Sequence, residues 1–247
     1  MTRGFVAAAI AFTAGFAGSN VQAQDWTGKA TIYAWLPSLD ATVGTEFGDI
    51  QASQGSSDVI SSLDMAFMGT FAAQKDRLGF VVDYVYADLT ASEPTPFGKL
   101  FSKAEVNAKV GALSGYMLYR LTTDSPVKFD AGVGFRNFNI DVTSRLAPGD
   151  LAGRSISTSS NFTDALLAAR VEAPISDRWF FNGFADIGAG TDNSSTWQVY
   201  AGLGYQIDEN WSAQFGWRYM NVSGDTAGST DLELDLSGAL VGISYTF

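Results

Sequence analysis

The feature that most limits what this chain can fold into is an alternation of apolar with small or polar residues along most of its length. Trp197, Val199, Ala201, Leu203, Tyr205 and Ile207 alternate with Gln198, Tyr200, Gly202, Gly204 and Gln206. Trp211, Ala213, Phe215, Trp217 and Tyr219 alternate with Ser212, Gln214, Gly216 and Arg218. A period of two marks a β-strand with unlike faces. The split recurs at Leu78 to Tyr86, Val106 to Leu118, Val127 to Phe135 and Ala165 to Ala173. Weaker versions lie at Trp26 to Leu36, Phe67 to Ala73, Trp179 to Ala189 and Ala239 to Phe247. That makes about ten segments, most near or above the ~9–11 residues of a tilted membrane strand.

The connections alternate in length. Gln74 to Arg77, Thr122 to Pro126, Pro174 to Arg178 and Asp208 to Asn210 are short, whereas the stretches after Leu36, Thr90, Thr143 and Ser223 are long. Short periplasmic turns, longer outer loops and an even strand count describe an antiparallel up-and-down transmembrane β-barrel. Ten strands satisfy this parity, with eight and twelve left open. Pro37, Pro94, Pro96, Pro126, Pro148 and Pro174 fall in or beside the expected connections, as residues without a ladder donor should. Leu39 to Gly44 and Phe47 to Ala52 are too short to span a membrane and suit a hairpin above it. Apolar parity at Leu232 to Leu236 opposes that at Val241 to Phe247, which predicts a bulge near Gly238 or a strand that leaves the membrane.

Before the first of these segments, Arg3 precedes an apolar run from Phe5 to Ala17, followed by Val21-Gln22-Ala23. This has the form of a secretory signal cleaved after Ala23, leaving residues 24–247 as one domain. No later run is long and apolar enough for a membrane helix, yet aromatics make up 13% of the chain and mean hydropathy is +0.06. An exported chain without Cys must be held by something other than disulfides, such as a closed sheet. The net charge of −11 argues against nucleic acid, whose phosphates call for Lys and Arg.

If the apolar parity faces lipid, the other parity lines a lumen. That assigns Lys29, Lys109, Lys128, Arg136, Arg170 and Arg218, with Asp83, Glu105, Asp130, Asp164, Glu172 and Asp186, to a lumen charge network. The lipid face then keeps charge only near strand ends, at Lys75, Asp88, Arg120 and Asp141. A basic residue at the bilayer midplane costs roughly 2–4 kcal/mol, so the segregation favours a membrane barrel over a soluble one. Trp26, Trp179, Trp211, Tyr205 and Tyr245 gather at one end of the strands and Tyr86, Trp197, Trp217 and Tyr219 at the other, as two interfacial girdles do.

A signal peptide, alternating strands and a last segment Gly-Ile-Ser-Tyr-Thr-Phe resemble the small outer-membrane β-barrel proteins of the opacity-protein and porin-like superfamily. Tyr33-Ala34-Trp35-Leu36-Pro37 with Asp58 to Phe67 resembles a largely uncharacterised subgroup of these barrels. The resemblance implies residence in the bacterial outer membrane among its lipids and lipopolysaccharide. It also implies recognition of the final strand, through Val241, Ile243, Tyr245 and Phe247, by the barrel-assembly machinery. It brings no cofactor and no activity.

Three roles are open for such a barrel: a structural or surface protein with a narrow or plugged lumen, a small channel for ions or solutes, and a lipid-active enzyme. Barrels of about eight strands are filled by side chains and those of 16–18 leave a channel, so ten strands favour the first. Familiar barrel enzymes use His for acid–base work near neutral pH, and this chain has none. The outer-loop acids Asp40, Glu46, Asp49 and Asp58, and the stretch Asp225 to Asp235, match no calcium-loop spacing and read as solvated surface. Phe47, Phe97 and Phe101 suit packing at the rim better than a partner contact. Asn-x-Ser/Thr triplets at Asn161, Asn193, Asn210 and Asn221 carry no weight in a bacterial barrel.

Overall fold

The computed structural model describes residues 26–43, 50–94, 101–190, 194–226 and 230–247. The expected signal segment 1–23 and the loop residues Glu46, Phe47, Asp49 and Phe97 lie outside them. The alternating segments form β1 (Thr27–Val43), β2 (Ile50–Gln54), β3 (Leu63–Lys75), β4 (Leu78–Pro94), β5 (Phe101–Arg120) and β6 (Lys128–Pro148). They continue as β7 (Arg154–Pro174), β8 (Trp179–Gly190), β9 (Ser195–Gln206), β10 (Trp211–Thr226) and β11 (Thr230–Thr246), with one short helix, α1 (Ser56–Ser61).

From β3 to β11 each strand pairs antiparallel with the next. β11 returns to β1 in a seam running from Lys29↔Thr246 to Val43↔Leu232. Ten strands therefore close the wall. β2 adds only to the upper part of β1, Leu39↔Gln54 to Val43↔Ile50, and is the hairpin expected there. On this side β1 pairs β3 only from Thr27 to Ile32, so among the described residues no strand pairs with 33–38. Trp35 N–H donates to Met68 Sδ instead, at 3.3 Å. Backbone N–H groups alternate along a strand, so Pro37 turns its missing donor to this same unpaired edge. β1 thus runs through Pro37 rather than stopping before it, at no loss of a ladder bond.

The two faces exchange character part-way up the wall. On β6 the lower outward row is Phe129, Ala131, Val133 and Phe135, and the upper is Asn137, Asn139, Asp141 and Thr143. The inward row changes the other way at the same height, from Asp130 and Arg136 to Phe138, Ile140 and Val142. Phe135 is 45% exposed, Arg136 0% and Phe138 3%. β1 passes from Ile32, Ala34 and Leu36 outward to Ser38, Asp40 and Thr42. β11 passes from Tyr245, Ile243, Val241 and Ala239 to Ser237, Asp235 and Glu233. The lower wall is greasy outside and mainly polar inside, apart from a buried apolar patch of Tyr116, Leu118, Leu166 and Ala168, and the upper wall is the reverse. This is how one sheet serves lipid below and water above.

Aromatic pairs mark the limits of the greasy belt. At the short-turn end the rings of Trp179 and Tyr205 lie 5.0 Å apart and those of Trp211 and Tyr245 4.9 Å. At the other end Trp197 and Tyr219 lie 4.7 Å apart, and Trp217 Nε1–H donates to Ser237 Oγ at 2.9 Å. From Trp211 to Tyr219, about 3.3 Å per residue and a tilt near 40° give about 20 Å of height, comparable with the ~25 Å apolar band of membrane barrels.

One expectation is narrowed to one of its two outcomes, and one assignment of charges is corrected. No bulge interrupts β11: its register is continuous with both neighbours through Gly238. A Cβ at Gly238 would lie 2.1 Å from Leu36 O, so glycine there allows the backbones to approach. The parity change is instead the strand leaving the membrane, the other outcome weighed. On β5 the even residues face inward, with Ser114, Tyr116 and Leu118 buried, so Glu105 and Lys109 face outward rather than into the lumen. Lys109 Nζ lies 3.8 Å from Asp88, and Glu105 lies 3.4 Å from Lys103 Nζ and 3.5 Å from Arg145. The run Val106 to Ala112 looked lipid-facing because it alternates well, but it lies above the belt and lines the inside. The same parity brings Arg120 inward from its expected place on the lipid face.

Candidate functional site in the barrel interior

The interior has three storeys. The lowest is a vestibule of 680 Å³ at the short-turn end, whose lining includes the turn residues Pro126, Ser176 and Asp177. Here Asp130 accepts from Arg120 Nε at 2.8 Å and from Arg170 Nε at 2.8 Å. Arg170 also donates to Gln74 Oε1 at 3.2 Å, and Lys128 donates to Glu172 at 2.8 Å. Lys29 Nζ sits over the Phe180 ring, 5.7 Å from its centroid. Lys29, Arg170 and Glu172 also line a chamber of 210 Å³ above, room for about seven waters at about 30 Å³ each.

The ceiling of that chamber is a continuous hydrogen-bonded layer. Arg136, fully buried, donates from Nη1 and Nη2 to the two oxygens of Asp186 at 3.1 and 2.7 Å. It donates further to Ser114 Oγ and Thr196 Oγ1 at 2.9 Å, and to Tyr116 Oη at 2.8 Å. All five of its donors are thereby directed at protein acceptors. Tyr116 O–H donates to Asp186 at 2.8 Å and Gln198 Nε2 to the same oxygen at 2.5 Å. Gln198 Oε1 accepts from Arg218 Nε at 2.9 Å, linking this half of the layer to the other.

In the second half, Arg218 donates to Tyr33 Oη at 3.0 Å and Asp83 Oδ2 at 3.1 Å. Asp83 Oδ1 accepts from Tyr33 at 2.6 Å and Thr70 at 2.9 Å. β1, β3, β4, β5, β6, β8, β9 and β10 all contribute, so the layer crosses the lumen. Paired and hydrogen-bonded charges are the form in which buried charge persists in a protein.

Above the layer the interior is a packed apolar core. Tyr33, Trp35, Ala112, Phe138, Met220, Val222 and Leu240 are buried in it, with Met68, Val85, Phe162, Leu234 and Leu236 against them. The Arg218 guanidinium lies 4.8 Å from the Trp35 ring centroid and joins the two storeys.

The expected charges thus divide. Asp83, Arg136, Asp186 and Arg218 form the layer, while Lys29, Lys128, Asp130, Arg170 and Glu172 line the vestibule. Glu105 and Lys109 are outside. Asp164 is fully buried opposite Arg136 in the ladder, but it accepts from Ser194 Oγ while Arg136 turns to Asp186. Sequence reasoning passed over Tyr33, Tyr116, Ser114, Thr196, Gln198 and Thr70. Their strand parity was available as a signal, but reading only formal charges hid neutral residues that carry most of the acceptors.

A closed sheet with a girdled apolar belt outside and a charged, paired interior is the form in which strands cross a bilayer. The fold is that of an outer-membrane β-barrel. It is similar to that of the outer-membrane protease OmpT of Escherichia coli, with a TM-score of 0.59 and 9% identity over 91% of this chain and 97% of that one. Neisserial surface protein A matches at TM-score 0.34 and 15% identity over 90% and 97% of the two chains. Ail of Yersinia pestis matches at 0.36 and 8% over 90% and 99%. No protein-family model matches the sequence, and no curated protein is significantly similar to it.

Proposed function

We propose that this barrel is a non-conducting, non-enzymatic protein of the bacterial outer membrane whose work is done at its outer rim. The observation that carries this is the closed lumen: the Arg136–Asp186 and Arg218–Asp83 layer is backed by an apolar core. A solute entering the vestibule meets paired charges and then packed side chains. The carboxylates of the layer are held by arginines, leaving no free acid–base pair there. The outward row Val241, Ile243, Tyr245 and Phe247 is well exposed and serves as the contact for the barrel-assembly machinery, with lipids and lipopolysaccharide covering the belt afterwards.

The test is conductance of the refolded barrel in planar bilayers. No unitary steps are expected from the wild type, and Arg170→Glu, in the vestibule below the layer, leaves the trace silent. Steady ion flux through the wild type, altered by that reversal, would overturn the proposal in favour of a small channel.

A further inference from the structure

The closed layer makes the space beneath it a dead end that opens at the short-turn side, which faces the periplasm in outer-membrane barrels. The 680 Å³ vestibule and the 210 Å³ chamber share Lys29, Ala72, Arg170 and Glu172, which form the neck between them. At this height every ladder of the wall is continuous, from Lys29↔Thr246 at the seam round to Thr27↔Gln74. Lipid is therefore kept outside, and whatever enters comes from water. The vestibule falls within the ~300–1,000 Å³ of small-molecule sites.

Charge and donors balance differently here than in the layer above. In the layer two arginines meet two carboxylates, and Arg136 directs all five of its donors at protein acceptors. In the vestibule Lys29, Arg120, Lys128 and Arg170 meet only Asp130 and Glu172, while the exposed turn pair Asp177 and Arg178 cancels at the mouth. Arg120 and Arg170 converge on the one carboxylate of Asp130, and Lys128 holds Glu172. Arg120 Nη1 and Arg170 Nη1 have no acceptor among the described residues. Nor does Lys29 Nζ, which lies over the Phe180 ring. Two positive charges are thus left over inside a chain of net charge −11. Water can solvate the open donors but brings no opposite charge, and a concave site lined by one sign of charge concentrates counter-ions.

We propose that the vestibule binds a small soluble anion, presenting a carboxylate or phosphate group to Lys29 and Arg170 at the neck with Arg120 beside it. Both groups take charge-assisted hydrogen bonds from such donors. The site lies on the opposite side of the closed layer from the outer rim, so it goes beyond the function proposed above and does not rest on it.

The experiment uses the full barrel refolded in nanodiscs of zwitterionic lipid and titrated calorimetrically with inorganic phosphate and, separately, with succinate. Succinamide, the neutral counterpart of succinate, is the control. At least one anion should bind saturably and succinamide should not, and the tighter of the two anions assigns the preferred group. Lys29→Gln, with its SDS heat shift intact, should weaken binding roughly tenfold or more, the loss of a hydrogen bond from a charged donor. Arg145→Gln, exposed at the far end of β6, should leave it within about twofold, since solvent and salt screen so distant a charge. A second readout needs no loss of charge: with the lysines carbon-13 methylated before refolding, the resonance missing from Lys29→Arg should be the one that moves during titration of the wild type. Absence of saturable binding for both anions, equal binding of succinate and succinamide, an affinity unchanged by Lys29→Gln, or shifts confined to other lysines would overturn the proposal. None of these outcomes depends on whether the barrel conducts.

Discussion

At the scale of single residues, the interior depends on two guanidinium groups. Arg136 is fully buried and holds both oxygens of Asp186. Removing one partner of a buried pair leaves an uncompensated charge, which costs about 3–5 kcal/mol, whereas replacing both by apolar groups is often neutral. Arg136→Met is therefore expected to destabilise the barrel by about that amount, and Arg136→Met/Asp186→Leu to recover most of the loss. Urea unfolding in lipid vesicles, followed by the unboiled band on SDS gels, measures both; a single variant within about 1 kcal/mol of wild type would show that the pair is not a keystone. The charges were legible in the sequence, but their partners were not. Parity puts Arg136, Asp164 and Asp186 on one inner face, and only side-chain reach decides that Arg136 takes Asp186.

Individual strands show why one alternation rule served both well and badly. The rule holds along the whole of β6 and β5, but the medium outside changes at mid-strand. Where the greasy parity lies below the change, as at Phe129 to Phe135, lipid was inferred correctly. Where it lies above, as at Val106 to Ala112, an interior face was mistaken for a lipid one, and Glu105, Lys109 and Arg120 were misplaced with it. β11 holds both regimes in one strand, and its conflict of parity at Leu232 to Leu236 was the available clue. The height of the change can be measured. Val133→Arg, outward and mid-belt, should cost roughly 2–4 kcal/mol, and Asn139→Arg, outward on the same strand but above the belt, about 0–1 kcal/mol. Equal costs in vesicle refolding titrations would place the water boundary elsewhere.

For the molecule as a whole, the tryptophans report on the same arrangement. Trp35 is 4% exposed inside the barrel, whereas Trp26, Trp179, Trp197, Trp211 and Trp217 are each at least 40% exposed on its outside. Brominated lipids should quench the outer five, with headgroup-proximal bromines acting most strongly on the girdle pairs. In a variant keeping only Trp35, with the other tryptophans changed to Phe, emission should be blue-shifted and little quenched; strong quenching there would place Trp35 against lipid. Strand number, closure and membrane class were readable from periodicity, connection lengths and girdles. The unequal heights of β7, paired with β6 from Arg154, and β8, which joins it only at Asp164↔Gly190, were not, because they follow from register, which alternation leaves free.

The seam that closes the wall joins Lys29 to Thr246 and continues to Val43 and Leu232. Across it the hydroxyls of Thr31 and Ser244 meet at 2.8 Å, and Gly28 and Phe247 exchange two backbone bonds at 2.9 Å. The contacts that complete the cylinder are thus among the most distant in sequence, which makes its closure an intrinsically slow, late event. Until that moment β1 and β11 are two open edges of a greasy sheet. The chain consequently needs to be kept apart from its own copies during export for as long as its first strand waits for its last.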